Sequence, residues 1–131
     1  MPEVTKEIKI ILLIDAIAAL IFTFLYLIIP EIYAGLVDPL VFDPYYWRAF
    51  GGTLLVPVIM ALIALNRAEV EQVKFIIEFA ILWCIVILAL NIWELIVLPL
   101  SPTYTQTTWF DSILLIVLII LNFYFYNRDL K

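Results

Sequence analysis

Asp15, Arg48, Glu78, Asn91, Glu94, Asp111 and Asn122 are the residues whose chemistry goes beyond packing, because each interrupts or borders an otherwise apolar run. An ionisable group in such a run is a candidate for ligand binding, ion pairing or proton transfer. Their spacing sorts them into two constellations. Asn91 and Glu94 share the seam Ala80, Cys84, Ile87, Asn91, Glu94 and Leu98, and Asp111 and Asn122 share the seam Asp111, Leu115, Leu118 and Asn122. Both seams alternate by four and three, so these polar groups face neighbouring helices. An unpaired arginine inside a membrane interface costs about 2.5–3.5 kcal/mol, so Arg48 is expected to hold a carboxylate. Glu94 is the first choice of partner and Asp111 or Asp43 the second, with Asn91 one turn deeper. Trp47, Trp93, Tyr45 and Trp109 stand beside this group. Together they form either a structural clamp or the floor of a pocket, in which a few polar groups converge within an apolar cleft.

The second constellation is Asp15 with Asn122 and Glu78. Asp15, Ala19 and Thr23 recur every four residues, which turns the aspartate toward small neighbours. It is read as a buried, hydrogen-bonded carboxyl or as a proton-coupled group. Lys74 precedes Glu78 by four positions, the spacing of a helical ion pair. Between the two constellations the seams are apolar.

These residues must be positioned by helices in lipid. The chain has 131 residues, 66% of them hydrophobic, against about 45–50% in soluble domains. Its mean hydropathy is +1.15. Charge-poor runs cover 10–29, 49–65, 79–98 and 112–126, broken only by Asp15 and Glu94. The fold class is therefore all-α, an integral membrane four-helix antiparallel bundle forming one domain, with helices over 8–29, 45–65, 70–98 and 109–127. No removable signal peptide is read at the N-terminus, so the first run is expected to stay as a helix. Lys6, Lys9, Arg67, Lys74, Arg128 and Lys131 fall on one side and only Arg48 on the other. That bias places both termini in the cytoplasm of a multi-pass cell-membrane protein.

Several local signals refine this layout. The outer loop 30–44 holds Leu36, Val37, Leu40, Val41 and Phe42, too apolar for a solvated loop, so a short interfacial helix or turn is expected there. Asp43-Pro44 starts the second helix. Along it, Ala49, Thr53, Pro57 and Ala61 form a small-residue packing stripe. Pro57 predicts a kink, with the Thr53 hydroxyl serving the freed backbone group. Gly51 and Gly52 predict close approach of a partner backbone. Glu69 and Glu71 suit the positive N-terminal end of the third helix. The polar stretch 99–108 reads as a loop turning at Ser101-Pro102, with the fourth helix beginning near Trp109.

Composition excludes further classes. One cysteine, Cys84, allows no intramolecular disulfide, and the absence of histidine removes imidazole metal sites. No metal or cofactor is expected. No polybasic run suits nucleic acid. The expected partners are membrane lipid and a second copy or another membrane protein sharing the small-residue stripes.

The stretch Arg48-Ala49-Phe50-Gly51-Gly52-Thr53-Leu54-Leu55, an Arg-x-Phe-Gly-Gly-x-Leu-Leu motif after an Asp-Pro turn, resembles small prokaryotic membrane proteins of the DoxX-like group and similar uncharacterised four-span families. The likeness extends to the layout of the whole chain. It implies a four-span fold and carries over no catalytic residue. Small multidrug transporters also place a carboxylate in the first of four helices, as Asp15 does, but are shorter, glycine-rich and tightly looped. The expected role is a binding or accessory subunit, not an enzyme, with an outward-facing pocket for a lipid or small amphiphile at Arg48, Glu94, Asn91, Trp47, Trp93 and Asp111. The alternative is a proton-coupled small-molecule transporter using Asp15, Asn122 and Glu78.

Overall fold

The computed structural model describes residues 4–67 and 69–130; Lys131, which entered the charge bias, lies outside them. All elements among the described residues are helical: α1 (Lys6–Thr23), a π turn (Phe24–Ile28), α2 (Pro30–Val37), α3 (Pro44–Arg67), α4 (Val70–Val97) and α5 (Pro102–Asp129). Four segments are long and apolar enough to cross a membrane: Lys6–Ile28, Pro44–Asn66, Val70–Val97 and Pro102–Asp129. Large apolar side chains such as Ile21, Leu82, Ile96 and Phe110 point away from the protein, as lipid permits and water does not. The chain is a membrane protein.

Caps fix where these helices begin. Thr5 accepts the Ile8 N–H at 3.3 Å to start α1. The Asp43 carboxylate accepts the Tyr45 N–H at 2.9 Å, and Pro44 opens α3 as expected. Glu69 and Gln72 form a reciprocal capping box at α4. Ser101 caps α5 through the Tyr104 N–H at 3.2 Å, with Pro102 at the first helical position. The last of these corrects the sequence reading: 102–108 is the first two turns of α5, not a loop. Its threonines are compatible with a helix because Thr107 donates to the Thr103 carbonyl at 3.0 Å. A short helix, α2, does follow Ile29, but it takes in only Leu36 and Val37 of the apolar residues that suggested it, and Leu40, Val41 and Phe42 lie beyond it in non-helical chain.

α1 packs along α3 and α4 along α5, with weaker contact between α1 and α5 and between α3 and α4. At one end lies a buried apolar core of Ile8, Ile11, Leu12, Ala64, Val73, Ile77 and Leu130. There the two chain ends meet: the Thr5 hydroxyl donates to Asp129 at 2.8 Å, and Arg128 lies 3.7 Å from Glu7. The opposite end carries α2, where the Ser101 hydroxyl donates to the Asp38 carbonyl at 2.8 Å and ties α2 to the start of α5.

On α3 the buried face is Gly51, Leu54, Val58, Ala61 and Ala64, whereas Ala49 and Thr53 are exposed. The expected stripe of Ala49, Thr53, Pro57 and Ala61 is therefore not the packing face. Gly51 sets it instead. In the π turn the Ile29 N–H reaches back five residues to the Phe24 carbonyl at 3.2 Å, which widens the helix toward α3. A Cβ on Gly51 would lie 2.7 Å from the Leu27 backbone nitrogen, so only glycine admits this approach, while Gly52 meets nothing within 4 Å. α3 continues through Pro57, and the Thr53 hydroxyl donates to the Phe50 carbonyl at 2.6 Å, not to the group freed by the proline.

Gly51→Ala is expected to destabilise the protein by about 1–3 kcal/mol, because backbone, not a flexible side chain, must move. Gly52→Ala is expected to be neutral or to stabilise by up to about 1 kcal/mol through helix propensity. Reversible denaturation in mixed micelles distinguishes the two, and equal effects would contradict the packing described.

Candidate functional site

Arg48 does not meet Glu94, Asp111 or Asp43. Its guanidinium lies 2.8 Å from Glu31, the second residue of α2, with both side chains about half exposed at 43% and 54%. Glu31's own backbone N–H, then Arg48, hold the carboxyl below its ordinary 4.5. The fold of α2 brings this carboxylate to α3, and Arg48 thereby leaves the interior.

The space that Arg48 does not enter is a cavity of about 320 Å³ at the α2 end. Asn91 and Glu94 of α4 and Tyr104 and Asp111 of α5 give it a polar wall. The Tyr104 hydroxyl approaches the Glu94 carboxyl. Aromatic rings make up much of the rest, Phe22 and Tyr26 from the first span, Tyr46, Trp47 and Phe50 from α3, and Trp83 from α4, with Leu54, Ile87, Leu90 and Leu115 between them. Tyr26, carried by the π turn, is the hub. Its ring centroid lies 5.0 Å from both Trp47 and Phe50 and 5.5 Å from Tyr33 of α2. Burial, then the nearby Asp111, push the Tyr33 hydroxyl up to about 12, so it stays a neutral donor.

Of the residues expected at this site, Trp47, Asn91, Glu94 and Asp111 converge on the cavity. Arg48 is drawn to α2, and Trp93, Trp109 and Tyr45 face outward at 53%, 56% and 72% exposure. Tyr26, Tyr104 and Phe50 were missed. Tyr104 had a signal, since Ser101-Pro102 is an N-cap followed by a first-turn proline, which places Tyr104 one turn into a helix. Tyr26 had none, because the π turn rotates the end of the first span away from a 3.6-residue register.

The second constellation forms in part. Asn122, only 1% exposed, donates to the Asp15 carboxylate at 2.8 Å and to the Leu118 carbonyl at 2.8 Å. Asp15 Oδ2 and Asn122 Oδ1 are buried without a hydrogen-bond partner among the described residues. Glu78 stands apart. It is exposed, accepts the Tyr126 hydroxyl and forms no ion pair with Lys74, because the α5 tyrosine reaches it first.

Asp15 borders a second, inner cavity of about 100 Å³, with otherwise apolar walls that include Pro57, Met60, Phe79, Ala80 and Cys84. Four side chains, one from each spanning helix, line both cavities: Phe22, Leu54, Trp83 and Leu115. They form an apolar ring between the acidic space at the α2 end and the Asp15 carboxyl.

Residues 2–127 match the family described as Domain of unknown function (DUF8292). The chain belongs to that family. Neither a curated protein sequence nor a solved structure matches it. The DUF8292 match does not bear on the resemblance to the DoxX-like group, and it assigns no role to any residue of either cavity.

Removing the Asp15–Asn122 contact from one side leaves a buried polar group without its partner. Asn122→Leu is expected to cost about 0.6–2 kcal/mol in mixed-micelle unfolding. The double variant Asp15→Leu/Asn122→Leu is expected to recover most of that loss. A double variant as unstable as the sum of the singles would contradict the pairing.

Proposed function

We propose that this chain is a binding or accessory subunit of the cell membrane, a four-span antiparallel bundle with both termini in the cytoplasm. Its cavity at the α2 end then faces outward and holds a lipid or small amphiphile. The orientation rests on the excess of lysine and arginine at the terminal end, where Lys6, Lys9 and Arg128 lie, against Arg48 at the α2 end. The single observation that carries the function is the cavity of about 320 Å³ in which Asn91, Glu94, Tyr104 and Asp111 face aromatic rings. A few placed polar groups in a largely apolar recess are what a small-molecule site requires. The buried apolar core at the terminal end and the polar-walled recess at the α2 end support a receptor more than a pore. The exposed Ala49 and Thr53 offer small residues to a second copy or a partner membrane protein.

A second reading, proton-coupled transport through Asp15, has one observation in its favour. The unpartnered Asp15 Oδ2 belongs to a residue that lines the inner cavity, behind the apolar ring.

Native mass spectrometry of protein extracted from membranes under mild conditions tests the binding role. The wild type is expected to carry a lipid or small-molecule adduct. The double variant Glu94→Gln/Asp111→Asn is expected to lose it, while Arg48→Ala, whose partner Glu31 lies outside the cavity, is expected to keep it. A bare wild-type chain, or one bound only to a second protein, would overturn the ligand role. An adduct lost in Asp15→Asn but kept in the double variant would favour the transport reading.

A further inference from the structure

The walls of the α2-end cavity have one electrostatic character. Glu94 and Asp111 contribute carboxyls, Asn91 and Tyr104 contribute neutral polar groups, and no lysine or arginine among the described residues lines it. The cation nearest in sequence, Arg48, is held by Glu31 of α2, and neither residue lines the cavity. Carboxylates set among aromatic faces attract an organic cation twice over. The charge is paired in a medium of low dielectric, and the ring quadrupoles of Tyr26 and Trp47 add cation–π attraction. An anionic head group, by contrast, would meet only like charge and desolvation.

The recess does not end at these groups. Phe22, Leu54, Trp83 and Leu115 are walls of both cavities, so the polar space and the apolar space below it adjoin through a single ring of side chains. Along α5, Asp111 of the polar wall and Leu118 of the inner cavity are seven residues apart, about 10 Å at 1.5 Å per residue. An extended chain fits this separation; a bulky ring system does not pass four side chains drawn from four helices. The inner walls above Asp15 are hydrocarbon and aromatic, which matches an alkyl chain and offers it no hydrogen bond.

Resting on the binding role proposed above, we propose that the ligand is a single-chain ammonium amphiphile. Its head sits at the Glu94–Tyr104–Asp111 wall, and its chain threads the Phe22–Leu54–Trp83–Leu115 ring into the inner cavity. Selectivity comes from the head. A chain leaving lipid for an apolar cavity gains little, since lipid is as apolar as the cavity, whereas the ammonium gains two carboxylates it did not have.

The test is equilibrium binding of dodecylammonium, butylammonium and dodecanoate to the full chain in lipid nanodiscs, with binding to empty nanodiscs subtracted. Dodecylammonium is expected to bind saturably and dodecanoate at least about tenfold more weakly. Glu94→Gln/Asp111→Asn is expected to weaken both ammonium probes to a similar degree. Ala80→Phe, which fills the inner cavity, is expected to weaken dodecylammonium at least about fivefold and to leave butylammonium unchanged. Ala18→Leu, a smaller filling of the same cavity from α1, repeats the test should Ala80→Phe fail to fold. Dodecanoate binding as tightly as dodecylammonium would overturn the head assignment. Unchanged dodecylammonium binding in every cavity-filling variant that folds would overturn the chain assignment. Either result leaves the outward-facing pocket standing, whereas absence of saturable binding by all three probes removes the inference and counts against the pocket itself.

Discussion

The arrangement depends on a backbone-to-backbone contact, the packing of the π turn Phe24–Ile28 against Gly51. A π turn widens a helix and offsets the residues after it, so a helix packed against it must leave room. Gly51 makes that room, as the 2.7 Å separation between its hypothetical Cβ and the Leu27 nitrogen shows. The one contact has three consequences. Tyr26 is turned onto Trp47 and Phe50, the chain is redirected at Ile29 into α2, and α2 delivers Glu31 to Arg48. Side-chain packing alone would not fix this geometry, because apolar side chains gain little over lipid by burying against one another.

The two ends of the molecule are held differently. The terminal end is stitched by Thr5, Asp129, Glu7 and Arg128 around the buried apolar side chains Ile8, Leu12, Val73 and Ile77. The α2 end is held by aromatic contacts and by hydrogen bonds such as Ser101 to Asp38, which join segments without filling the space between them. Space therefore survives between the α1–α3 pair and the α4–α5 pair, and the polar residues of α4 and α5 look into it. Diverting Arg48 to Glu31 leaves that space acidic. Had Arg48 entered it, the carboxyls would have been neutralised from within and the recess closed as an ion pair.

Much of this was legible in the residues. The four-three seams of α4 and α5 turned Asn91, Glu94, Asp111 and Asn122 inward, and the grouping of Asn122 with Asp15 across two helices is met by their hydrogen bond. Those inferences held because helical periodicity and rise are nearly invariant. Arg48's partner was missed for a different reason. Depth ranks candidates on spanning helices, but Glu31 reaches Arg48 through the conformation of a connection, which periodicity does not specify. The start of α5 was masked by composition, since a threonine-rich stretch reads as loop although Ser101-Pro102 is a strong helix opening. Glu78 was matched to Lys74 within its own helix, whereas Tyr126 from α5 reaches it in three dimensions. The π turn left no mark in the sequence beyond Gly51, whose role emerges only when its neighbour is seen.

The central claim is that Asn91, Glu94 and Asp111 line a recess open to water on the outer side. Thiol accessibility tests it most directly. In a Cys84→Ser background, Asn91→Cys and, as the lipid-facing control two positions away, Trp93→Cys are exposed in intact cells to a membrane-impermeant methanethiosulfonate reagent. The account predicts that the Asn91→Cys variant is labelled from outside and that the Trp93→Cys variant is not. An inert Asn91→Cys variant in folded protein, or one labelled only after the cytoplasmic side is opened, would contradict it.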